Sequence, residues 1–215
     1  MEEVFPEVAF WIFGIPVRDT VVSTWFTMAV ILGGVVLFRM TRPSALEMLV
    51  EFFRSTVADV MTGVNVDPYI PYLGTLGLFL AVANNIGVVP WVCTPTRDIN
   101  TPIALAVTVL IAVHIFGVQK KGLWPYLREQ ASPMIVLDIV GQASRTMSLS
   151  LRLFGNIIAG EIIVAVIYRL VKPIAPLPLI VLSLVTGVLQ AYIFMVLATS
   201  AISTAVRTKD TAGAS

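Results

Sequence analysis

Five long apolar runs limit this chain to one kind of fold. They lie at about residues 20–38, 72–92, 102–118, 133–167 and 176–206, and each is long enough to cross ~30 Å of hydrocarbon as a helix. Lipid offers no hydrogen bonds to a backbone, so segments of this kind must satisfy their own amides as α-helices. With 57% hydrophobic and 13% charged residues, the chain reads as an all-α integral membrane protein with five membrane-crossing helices, organised as a single membrane domain over residues 1–215. A net charge of +1 gives no reason to expect a nucleic-acid partner, and the lone Cys93 excludes an internal disulfide.

Other stretches complete the expected layout. Residues 1–19 form an outer N-terminal segment, whose acidic start MEEVFPEV is unlike a cleaved signal peptide. Between residues 43 and 60, Leu46, Leu49, Val50, Phe53, Val57 and Val60 recur at helical spacing, while Glu47, Glu51, Arg54 and Asp59 take other positions. That pattern predicts an amphipathic helix on the membrane surface, with packing against a partner protein as the alternative. The last two apolar segments are too long to stand upright. At 1.5 Å per residue, 133–167 reaches ~50 Å, so both must tilt strongly or bend. Arg39, Arg42 and Arg54, then Lys120, Lys121 and Arg128, then Arg207 and Lys209 follow alternate crossings, which implies an outside N-terminus and a cytoplasmic inner tail at 207–215. Arg169 and Lys172 run against that trend.

The polar residues inside these runs carry the functional reading. Arg152 sits in SLSLRLFGNIIAGE, a segment otherwise fit for lipid, and a guanidinium stays charged at any accessible pH. At 100° per residue, Asp138, Gln142, Arg145, Ser148 and Asn156 fall within about 80° of Arg152, as one polar stripe. Glu161 falls at about 180°, on the opposite face, and Asp138 lies ~21 Å away along the axis. Neither acid can pair with Arg152 inside this helix, so its counter-charge is expected from elsewhere. Ser183, Thr186 and Gln190 make a second narrow polar face on the last segment. Asn84 and Asn85 suit helix packing better than ion ligation, and His114 suits an interhelical hydrogen bond better than a proton relay. The loop CTPTRDIN carries Arg97 and Asp98 on the outer side.

The blocks SLRLFGNIIAGE, LQAYIFMVLATSAIS from Leu189 to Ser203, and NNIGVVPWVCTPTRDINTPIALAV from Asn84 resemble subunit a of the rotary F-type ATP synthase. The resemblance covers roughly the last two thirds of the chain. It implies that Arg152 faces the essential carboxylate of a rotating c-subunit ring, that Gln190 orients it, and that Glu161 lines one of two offset half-channels. Ser183 and Thr186 would stand beside Glu161, Asp138, Gln142, Arg145 and Ser148 would line the other pathway, and Asn156 would serve the ion pathway from the arginine stripe, with Asn84, Asn85, Asp98 and Arg145 in support. In that family the position of Ser183 is commonly ionisable, so Glu161 here would work through water and hydroxyls, or help pass sodium in place of protons. The resemblance further implies peripheral-stalk b subunits as partners, a bacterial-type inner membrane, no cofactor and no resident metal. It makes the chain a non-catalytic subunit, in keeping with the lack of a Walker A motif. Two other readings compete: a secondary transporter or channel, which would place an acid or a broken helix opposite Arg152 in its own chain, and a structural anchor, which would tolerate the loss of Arg152.

Overall fold

The computed structural model describes residues 8–12, 15–89, 92–130, 135–170 and 177–207. Two short strands, β1 (Val8–Ile12) and β2 (Ile15–Arg18), pair antiparallel, and everything after them is helical or loop. The helices are α1 (Asp19–Thr41), α2 (Pro43–Val60), α3 (Ile70–Asn85), α4 (Asn100–Lys121), α5 (Leu123–Gln130), α6 (Ile135–Leu170) and α7 (Leu177–Val206). The protein is therefore an all-α membrane fold preceded by one small hairpin, a feature absent from the sequence expectation. Among the described residues, stretches of α1, α3, α4, α6 and α7 are long and apolar enough to cross a membrane.

α7 is the hub, packed against α2, α3, α4 and α6. Its buried positions are Gly187, Gln190, Ala191, Phe194, Met195, Ala198, Thr199, Ile202, Ser203 and Val206, which recur every three to four residues along one stripe. Half of these are small. In lipid there is no hydrophobic drive between helices, so close backbone approach and dense packing must supply the association. Into that stripe fit Leu73 and Leu80 of α3 and Leu153 of α6, all fully buried. Outward positions are apolar too: Leu32, Val36 and Leu37 on α1, Ile162 and Val166 on α6, and Val181 and Leu182 on α7 are all exposed, as suits hydrocarbon surroundings.

α2 begins on Pro43 and turns Phe53 and Val57 to the bundle while Glu47, Glu51, Arg54 and Asp59 stay exposed. A Cβ on Gly74 or Gly77 would lie 3.3 Å from the Phe53 ring, so these two positions make room for it. α4 stops at Gly122, whose φ of 85° allows the left-handed cap that other residues resist. His114 differs from expectation: its Nδ1 lies 2.8 Å from the Leu110 carbonyl of its own helix, and its ring meets Tyr126 edge-on.

The loop between α3 and α4 folds into the bundle. Thr94, Pro95, Thr96, Arg97 and Asp98 are all buried, and a short 3-10 turn at Pro95–Arg97 packs against α1, α3, α4 and α6. Buried charges require partners, and the junction of β2 and α1 provides them in Arg18 and Asp19.

Candidate functional site

α6 sorts its residues by face. Ser150 and Leu153 are buried, Ser150 giving its hydroxyl to the Pro102 carbonyl at 3.2 Å, while Ser148, Leu151, Arg152 and Gly155 are exposed. Arg152 therefore points away from the bundle. Among the described residues, no carboxylate lies within 4.0 Å of it; the ion pairs of the bundle involve Arg18, Arg54 and Arg97 instead. The side chains of Asp138, Gln142 and Arg145 lie outside the described residues, although their backbone belongs to α6.

α3, α6, α7 and the α3–α4 loop line an open-sided cavity of about 840 Å³, most of whose wall is apolar. Its wall includes Asn84, Asn85, Asn156, Glu161, Ser183, Thr186 and Gln190, which brings seven of the sequence-identified residues to one space. Ser148, Arg152 and Asp98 are not among its lining residues. Two asparagines brace the wall. Asn84 donates from Nδ2 to the Gly187 carbonyl at 3.0 Å and accepts from the Thr96 hydroxyl at 3.0 Å, while Asn85 Nδ2 donates to the Ala81 carbonyl at 2.7 Å. Gly187 is needed here, because a Cβ would sit 2.8 Å from Asn85 Oδ1. Asn85 Oδ1 and Gln190 Nε2 are buried without a hydrogen-bond partner among the described residues. Both belong to cavity-lining side chains, where water or a passing ion can satisfy them. No hydrogen bond joins Gln190 to Arg152. Thr186 gives its hydroxyl to the Leu182 carbonyl at 2.8 Å, and Ser183 faces α6 at Gly160, where a Cβ would stand 3.3 Å from its Oγ.

Glu161 is the one ionisable residue lining the cavity among those described, and it meets the buried loop. Arg97 Nη1 lies 4.0 Å from Glu161 Oε2, and Arg97 Nη2 lies 3.4 Å from Asp19 Oδ2 at the head of α1. Next to this, Arg18 Nη1 donates to Asp98 Oδ2 at 2.8 Å, Thr20 Oγ1 reaches the same oxygen at 3.4 Å, and the Asn100 amide donates to Asp98 Oδ1 at 3.1 Å. Two Arg-Asp dipeptides, 18–19 and 97–98, thus pair crosswise. Burial alone would raise the Asp98 carboxyl, but the hydrogen bonds from Arg18, Asn100 and Thr20 and the charge of Arg18 hold it below the usual carboxylate value. Cys93 moves the other way: burial and a hydrogen bond to Asp19 push its thiol up, against the pull of Arg97. Sequence reasoning singled out Asp98 only in support and missed Arg18, Asp19, Thr94 and Arg97. The repeated Arg-Asp pair beside two span ends was the available signal.

This helical membrane bundle has a cavity containing Glu161 on one face of its longest described helix and, on another, an exposed arginine with no carboxylate within 4.0 Å among the described residues. Comparison with known proteins identifies its kind. The ATP synthase A chain family model matches residues 21–203. ATP synthase subunit a 2 of Bradyrhizobium sp. is 41% identical over 203 residues, covering 89% of this chain and 90% of that protein. ATP synthase subunit a 1 of Chlorobaculum parvum is 37% identical over 95% and 96% of the two chains, and ATP synthase subunit a of Moorella thermoacetica 34% identical over 92% and 94%. The chain belongs to the ATP synthase A chain family, as a multi-pass membrane component of an ATP synthase complex.

Proposed function

We propose that the chain is the ion-translocating stator subunit of a rotary ATP synthase, with the Glu161 cavity as one of two offset half-channels and Arg152 as the fixed cation facing the carboxylates of a c-subunit ring. The observation that carries this reading is the split of α6. Arg152 is exposed on the face turned from the bundle, with no acid of its own chain within 4.0 Å among the described residues, while Glu161 opens on another face into a cavity that also presents Asn84, Asn85, Ser183, Thr186 and Gln190. A transporter would complete its charge pairing internally; here the exposed guanidinium awaits a carboxylate from outside.

The mechanism is electrostatic. A ring carboxylate crosses lipid only while neutralised by its ion, because the bare charge is costly there. Near Arg152 the ionised form is favoured, so the ion is released; after passing, the carboxylate reloads from the other half-channel. Gln190, whose amide nitrogen has no hydrogen-bond partner among the described residues, lines the path between the two α6 faces. Ser183 and Thr186 supply hydroxyls beside Glu161, and Asn84, Asn85 and Asn156 amides, so that protons move by water or sodium by neutral oxygens. Asp138, Gln142, Arg145 and Ser148 serve the second half-channel. Each charge moved through 100 mV is worth ~2.3 kcal/mol, so several ions pass for every ATP formed elsewhere in the complex. In this reading the protein sits in a bacterial-type plasma membrane, N-terminus outside and C-terminus cytoplasmic, with peripheral-stalk b subunits holding it still.

ATP-driven transport into vesicles tests the pathway. Glu161→Gln is expected to slow transport more than Asp138→Asn, because no other ionisable side chain lines the described cavity. Transport at the unaltered rate in Glu161→Gln would remove the cavity from the pathway. Sodium uptake that persists with a protonophore would assign sodium, and its absence protons.

A further inference from the structure

The crossed Arg-Asp pairs do more than tie a loop to a helix. Arg97 is 9% exposed, and its two terminal nitrogens face two different acids: Nη2 is held by Asp19 on α1, and Nη1 stands 4.0 Å from Glu161 on α6. That second distance is too long for a hydrogen bond but short enough for strong attraction away from bulk water. Thr94 of the same loop lines the cavity with Glu161. From α3 and α7, the cavity wall presents Asn84, Asn85, Ser183, Thr186 and Gln190, none of which titrates. Among the described residues, the ionisable or charged groups near Glu161 are therefore Arg97 and, further off in the loop, Cys93, with Asp19 acting from α1 behind Arg97.

We propose that Arg97 is the positioning residue of Glu161: anchored by Asp19, its guanidinium holds the carboxylate at the loop end of the cavity and balances its charge whenever the transported ion has left. This rests on the reading of Glu161 as a pathway residue. It gives Glu161 a cationic partner from the α3–α4 loop in place of an ionisable group at Ser183 on α7. The unbonded 4.0 Å spacing matters, since an incoming ion competes with a neighbouring charge and need not break a hydrogen-bonded fork. At 4.0 Å the interaction with Glu161 is one of charge, so a lysine in place of Arg97 is expected to supply it.

The test labels the carboxyl in the assembled complex with a hydrophobic carbodiimide, which reacts with protonated carboxyls, and reads Glu161 by peptide mass spectrometry at one fixed pH. Arg97→Gln is expected to raise labelling of Glu161 roughly tenfold, with Glu47 and Glu51 unchanged, and Arg97→Lys to keep labelling near the wild-type level. Unchanged labelling in Arg97→Gln overturns the proposal. Should Arg97→Gln fail to assemble, Arg97→Lys decides: transport within about threefold of wild type with wild-type labelling supports the proposal, and loss of transport in the assembled complex overturns it. Full-rate transport in Glu161→Gln would instead defeat the pathway reading itself, whatever the labelling shows.

Discussion

Replacing Asp98 with asparagine isolates one arm of the crossed pairs. The carboxylate is 5% exposed and accepts from Arg18 Nη1 at 2.8 Å, Thr20 Oγ1 at 3.4 Å and the Asn100 amide at 3.1 Å. An asparagine of the same size keeps one accepting oxygen and loses the charge-assisted bond, an interaction typically worth about 1.5–3 kcal/mol. Arg18 is 43% exposed and regains part of its hydration, which reduces the loss to about 1–2 kcal/mol. For a chain of this size that corresponds to a fall of roughly 2–8 °C in the midpoint of thermal unfolding in detergent. The pH dependence has a definite sign. Because the folded state holds the Asp98 carboxyl below its ordinary value, its contribution is complete above the unfolded carboxylate value near ~3.9 and is lost as pH falls through the folded value. Unfolding followed between pH 6 and pH 3 should therefore show a larger acid loss in the wild type than in Asp98→Asn. Equal midpoints at neutral pH together with identical acid sensitivity would refute the assignment of Asp98 to a stabilising ion pair.

Other outcomes follow from the packing and the faces of α6. Gly187→Ala would drive a methyl against the Asn85 amide, which is itself tied to Ala81, so α3 and α7 must part and thermal stability should fall by about 1–3 kcal/mol; adding Asn85→Ala should restore most of it. In a background with Cys93 replaced by serine, cysteines at Ser148, Arg152 or Asn156 should crosslink to a membrane helix of the c-ring and one at Glu161 poorly; equal yields from all four would contradict the proposed ring-facing side of α6.

The fold class was legible because lipid imposes so few solutions: long apolar runs must be helices, and the amphipathic spacing of 43–60 marks α2 as a helix with one packed face. Which side of α3 or α4 meets the bundle was not legible, since both helices are apolar all round and carry no directional stripe. The split of α6 could be read because polar residues interrupt it at countable angles. The packing of the loop at 92–99 was not legible, for a physical reason. Prolines, threonines and two charges ordinarily mean a solvated surface, and here those charges are neutralised by Arg18 and Asp19, about eighty positions earlier in the chain. Pairing across that separation leaves no local pattern. The hairpin at β1 and β2 was equally hidden, being two strands of five and four residues. Placing Glu161 beside Arg97 required both facts together.

The central claim, that Arg152 couples ion flow to rotation by facing a partner's carboxylate, is tested most directly by ATP synthesis in reconstituted vesicles driven by an imposed ion gradient. Arg152→Ala and Arg152→Gln should abolish synthesis while the subunit remains inserted and assembled, because the exposed side chain contributes nothing to the described core. Arg152→Lys should recover little, since an ammonium lacks the planar fork and loses its proton more readily when desolvated. Synthesis at the wild-type rate in an assembled Arg152→Ala complex would contradict the account.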